Sequence, residues 1–98
     1  MIEYIRRKLL KWHKSIVLTE VRADMAFIRD YKGHRLSYDE TDARMQLANI
    51  TRSDLPDEEK AARKQPIEDD IYDAMAVKKE YEKLIKMEAD LTQYIAML

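Results

Sequence analysis

From Ile67 to Leu98 one set of positions recurs in steps of three and four: Ile67, Ile71, Ala74, Val77, Tyr81, Leu84, Glu88, Leu91, Ile95 and Leu98. Eight of the ten are apolar, and the spacing keeps them on one narrow, near-heptad stripe of a helix. A helix with such a stripe cannot bury it alone, so it needs a second helix alongside. On another face Lys78, Glu82, Lys86 and Asp90 alternate in sign at i, i+4 spacing, which supports a solvated helix by a few tenths of a kcal/mol per pair. Glu88 has two readings, as a residue at the edge of the seam or as a buried partner for a base.

Punctuation is scarce elsewhere. The chain has one Gly and two Pro in 98 residues, and abundant helix formers, so long helices and few turns are expected. The first predicted helix runs from about residue 2 to 31 and stops at Gly33, where a left-handed C-terminal residue is expected. Ser37 with Glu40 three residues later has the form of a capping box, predicting a helix over about 37–51. Ser53 or Asp54 is the expected cap of a third helix, with Pro56 in its first turn and Asp57, Glu58 and Glu59 at the positive end of its dipole. Pro66 removes a backbone N–H and disfavours helix at Gln65, so the chain should kink there or restart. The expected helices are therefore about 2–31, 37–51, 54–65 and 66–98, in a single domain.

The first helix carries two dry stripes. Ile2, Ile5, Leu9, Trp12 and Ile16 form one, to which Phe27 returns. Leu10, Val17, Val21 and Ile28, flanked by Leu18 and Met25, form another at least a quarter turn away at about 100° per residue. A simple hairpin uses only one, so the second implies the short middle helix or another copy of the chain. Thirty helical residues extend about 45 Å, whereas a compact domain of this length has a radius of gyration near 13 Å. The molecule should be elongated. In an antiparallel hairpin the apolar end Leu91, Tyr94, Ile95, Met97 and Leu98 is expected beside Ile2, Ile5, Leu9 and Trp12, making a shared end.

Charge is nearly balanced at −1 but unevenly placed. Arg6, Arg7, Lys8, Lys11 and Lys14 crowd the start, whereas residues 37–73 hold eleven acids against five bases. Such asymmetry can orient a head-to-tail or antiparallel contact, although charge blocks on helices are usually solvated faces. No apolar run approaches the roughly 18–20 residues of a membrane span. The charged opening also lacks the apolar core of a secretory leader. The absence of Cys rules out disulfides and suits a reducing, soluble compartment such as the cytoplasm.

Chemistry-bearing patterns are sparse. His13 and His34 belong to no zinc or di-iron motif, and no metal or cofactor is implied. The acidic groups Asp57/Glu58/Glu59 and Glu68/Asp69/Asp70 are explained by helix N-termini, and their neighbouring members diverge around a helix rather than converge on a cation. Ser15, Ser37 and Ser53 have no base at a motif spacing, and no Gly-rich phosphate loop exists. An enzyme is not expected. The basic start has three readings: packing with its bases solvated or paired to an acidic partner, contact with nucleic-acid phosphates through Arg6, Arg7, Lys8, Lys11 and Lys14, or adsorption to anionic lipid through Trp12 and its apolar neighbours.

The sequence thus predicts an all-α protein, an elongated helical hairpin or three-helix arrangement with coiled-coil-like packing, oligomeric and without catalytic, cofactor or metal residues. Its expected function is helix-mediated association, as a homo-oligomer or an accessory subunit of a larger assembly. The candidate interface is Ile2, Ile5, Leu9, Trp12, Ile16, Val17, Val21, Ile28, Leu84, Leu91, Tyr94, Ile95 and Leu98. The alternative is a regulatory or nucleic-acid-binding adaptor using the basic residues.

Overall fold

The computed structural model describes residues 1–98 and contains four helices, α1 (Ile2–Tyr31), α2 (Gly33–Leu36), α3 (Glu40–Arg52) and α4 (Asp57–Met97), with no strand. The protein is a rod of 77 × 20 × 18 Å with a radius of gyration of 21.5 Å, far above that of a compact chain of this length. α4 is its spine. α1 packs antiparallel along the C-terminal half of α4 and α3 along the N-terminal half, while α2 turns the chain between them. α1 and α3 do not touch each other. The architecture is one long hairpin whose first arm is broken once.

The seam of α4 is placed as its spacing requires. Ile71 and Ala74 are buried, and Ile67, Val77, Tyr81, Leu84, Glu88, Leu91, Ile95 and Leu98 are half-buried. Against it α1 contributes Leu18, Val21, Met25 and Ile28, all buried, and α3 contributes buried Ala43. Seven residues make up the buried core, all between Leu18 and Ala74 and clustered toward the middle of the rod where α1, α2 and α3 successively meet α4. Both ends rely on partial burial.

Ion pairs and hydrogen bonds tie the break to the spine. Arg35 of α2 reaches Asp70 at 3.2 Å and Asp73 at 3.9 Å. Lys78 donates to the carbonyl of Tyr38 at 3.0 Å, satisfying a backbone acceptor that the turn leaves outside any helix. At the far end of α3 the Ser53 hydroxyl donates to the Ile50 carbonyl and Lys60 to the Thr51 carbonyl at 3.1 Å. The Lys60 ammonium thereby meets the negative end of the α3 dipole.

Several local expectations are corrected. Gly33 does not end α1 in a left-handed conformation: no residue has positive φ, Lys32 is the C-cap and Gly33 begins α2. The expected capping box does not form either. The N-cap of α3 is Asp39, whose carboxylate accepts from the Asp42 N–H at 3.2 Å. Ser37 instead donates to the carbonyls of Gly33 and His34, closing α2, and Glu40 pairs with Arg44 one turn on. Neither Ser53 nor Asp54 caps the next helix, which starts after Pro56.

The largest correction concerns Pro66. The expected helices 54–65 and 66–98 are one helix of 41 residues that passes through it. Proline removes the hydrogen bond to the Ala62 carbonyl, but both residues lie on the exposed side of α4, where water can satisfy that carbonyl and the helix can bend gently. Replacing Pro66 by Ala should therefore raise stability by about 1–3 kcal/mol, the restored helical bond being partly offset by a freer unfolded chain. Chemical denaturation should show a higher midpoint at unchanged slope; a lower midpoint would mean that Pro66 sets a bend the packing requires.

Candidate interaction surface

α1 meets α4 through the stripe that begins at Leu10 and Val17, so Val17, Val21 and Ile28 are committed inside the chain. Leu84, Leu91, Ile95 and Leu98 are their half-buried counterparts on α4. Within the chain these seven line the seam between α1 and α4. Three polar contacts record the register. Arg22 pairs with Glu88 at 3.2 Å, Arg29 donates to the Tyr81 hydroxyl at 3.2 Å, and the Lys14 ammonium lies 5.8 Å from the centre of the Tyr94 ring. Glu88 is therefore both a seam-edge residue and the partner of a base, with about a third of its side chain still accessible.

That register overturns the expected shared end. Thirteen residues precede Lys14 while only four follow Tyr94, so about nine residues, or roughly 13 Å of helix, run past the last turn of α4. Burial agrees: Met1 to Leu9 are all exposed and Leu10 is the first half-buried residue. The seam face of this overhang carries Glu3 and Arg7 rather than apolar side chains. A helix sequence that turns polar there does not require α4 to continue.

The first stripe has no partner within the chain. Ile2, Ile5, Leu9, Trp12, Ile16 and Phe27 are between 40% and 74% exposed. At about 100° per residue their common direction lies roughly 140° around α1 from its packed face. The middle helix, one of the two expected covers, does not reach α1. Scattered exposed apolar residues are ordinary, but six aligned on one helix face form a patch of the kind that usually meets a partner. Phe27 closes the stripe by stacking on Tyr31 at 4.9 Å.

The basic residues lie mainly on the other side. Arg7, Lys11 and Lys14 form a ridge with Lys8 beside it, whereas Arg6 flanks the apolar stripe. None of the five makes an ion pair. Lys8 sits over the Tyr4 ring at 4.9 Å, and Lys14 is half-buried against α4. Tyr94 lines the side of an open groove of about 680 Å³ together with Lys14, Val17, Met87, Asp90 and Leu91. No group of three or more His, Asp or Glu side chains converges as a metal site would require, and the two acidic groups on α4 remain at the surface. No helix is long and apolar enough to cross a membrane.

Sequence reasoning missed Tyr72 and Met75, which are 75% and 50% exposed on α4. They sit one turn apart on a face away from the seam, and only their own spacing could have marked them. In comparisons with known proteins, the chain matches no family model, no curated protein and no solved structure.

Proposed function

We propose that this chain works by helix-mediated association, through the outer face of α1, as a self-associating structural component or as an accessory subunit of a larger assembly. The observation that carries this reading is the uncovered stripe from Ile2 to Ile16, aligned on the side of α1 that faces away from α4. Burying a large apolar side chain contributes about 1.5–3 kcal/mol, so several together can offset the cost of association. The same residues contribute little to the single chain, which makes them separable from folding. In multi-angle light scattering at high micromolar concentration, the wild type should exceed its chain mass of 11.7 kDa. Leu9→Glu/Trp12→Glu should run as a monomer with unchanged helicity. A monodisperse wild-type monomer would remove self-association.

A second reading, a nucleic-acid-binding adaptor, is supported by the unpaired guanidinium and ammonium groups of Arg6, Arg7, Lys8 and Lys11. It requires binding to a duplex at low salt that weakens steeply as salt rises and is lost in Arg7→Glu/Lys11→Glu. Indifference to that double reversal would exclude it.

A further inference from the structure

We propose that the cover of α1's outer face is the same face of a second copy, the two helices lying antiparallel about a two-fold axis between Trp12 and Ile16. This rests on the association reading above and assigns its partner and geometry. The stripe is graded in size. Its first part, Ile2 to Ile16, is large, while the positions that continue the three-four spacing are Thr19 and Ala23. Parallel pairing sets large on large from Ile2 to Ile16 and small on small at Thr19 and Ala23, which leaves voids before Phe27 that close packing disfavours. Antiparallel pairing sets Leu9 against Thr19 of the second copy and Ile5 against its Ala23. At the centre Trp12 meets Ile16 and at each end Ile2 approaches Phe27, so bulk faces space at the Leu9 and Ile5 positions between them.

Charge selects the same orientation. Arg6 lies on one flank of the stripe, and Glu20 and Asp24 lie farther along that flank. Arg6 and Asp24 are 18 residues apart, five full turns. None of the three is ion-paired in its own chain. The antiparallel arrangement places Arg6 between Glu20 and Asp24 of the second copy, and symmetry makes this contact twice. A parallel in-register pair sets opposite flanks together, so Arg6 would lie near Lys8 of the second copy and away from Glu20 and Asp24. On the other flank Lys8 comes level with Thr19 and Arg22 of the second copy, and the charge of that Arg22 is engaged by its own Glu88.

The overhang acquires a support in this arrangement. The first nine residues, which α4 does not reach, lie along residues 19–27 of the second copy's α1. α4, about 140° around the helix, does not obstruct the approach. The six stripe residues expose on the order of 700 Å², near the roughly 800 Å² per partner of a standard interface.

The chain contains no Cys, so introduced thiols report geometry alone. Ile5→Cys and Ala23→Cys, both at exposed positions and one carrying a mass tag, are mixed in the full-length chain and oxidised. The mixed disulfide should exceed the Ile5→Cys self-disulfide several-fold. Arg6→Asp should weaken the dimer about tenfold, with most of the loss restored by Asp24→Arg in the same chain. Dominant self-disulfides, or an assembly other than a dimer, would overturn the pairing and leave the association reading standing. A wild-type monomer that binds only anionic vesicles, phosphatidylserine in phosphatidylcholine, would overturn the pairing and self-association together.

Discussion

Everything in this molecule depends on the seam of α4. A helix of 41 residues with one apolar stripe has no stability of its own beyond local hydrogen bonds, and it becomes a spine only because other helices cover that stripe. α1 covers the C-terminal half and α3 the N-terminal half, so the rod exists as far as this cover extends. Each half contributes few buried residues, seven in the whole chain. Much of the remaining packing is the partial burial typical of two-helix contacts. A chain so built is elongated by necessity, since a single layer of helix against helix leaves half of every helix in water.

That economy places the functional question on α1. A helix that meets one partner needs one apolar face, yet α1 has two, and only the face containing Val21, Met25 and Ile28 is closed by α4. The other is open along most of the helix and extends into a segment that α4 does not reach. The apolar residues there contribute little to the fold of the single chain, so their alignment calls for a second explanation. The proposed association supplies one, and the sizes and charges along the stripe are the grounds for its proposed orientation. The basic ridge of Arg7, Lys11 and Lys14 is compatible with this arrangement because it lies on another side of the helix.

Much of the architecture was legible from the residues. The three-four spacing of α4 and the length of α1 follow from side-chain periodicity, which is a property of the helix alone, and the elongated shape follows from length. What was not legible depends on comparing alternatives that the sequence leaves nearly equal. Gly33 could have adopted a left-handed turn, but a one-turn helix held by Arg35 to Asp70 and Asp73 uses the same residues. Ser37 and Asp39 are both competent caps, and the choice rests on where the chain leaves α2. Pro66 disfavours helix locally, yet its missing hydrogen bond falls on the wet face, where the continuous seam from Ile67 onward outweighs it. The register between α1 and α4 was hidden because a near-heptad seam tolerates displacement by whole turns. Arg22 with Glu88 and Lys14 with Tyr94 select one register, and that selection exposes the overhang. The candidate surface was legible as residues but not as a surface: Val17, Val21 and Ile28 and Ile2, Ile5 and Leu9 both looked dry, and only the packing decides which stripe is left open.

In the proposed assembly α1 has one face closed by its own chain and one closed only by association. Segment-resolved hydrogen–deuterium exchange on the wild type, from low to high micromolar concentration, tests it directly. Residues 18–28 should be protected at every concentration, whereas residues 2–11 should exchange freely when dilute and gain protection as the chain associates. Equal protection of residues 2–11 in the dilute monomer, or no gain at any concentration, would contradict it.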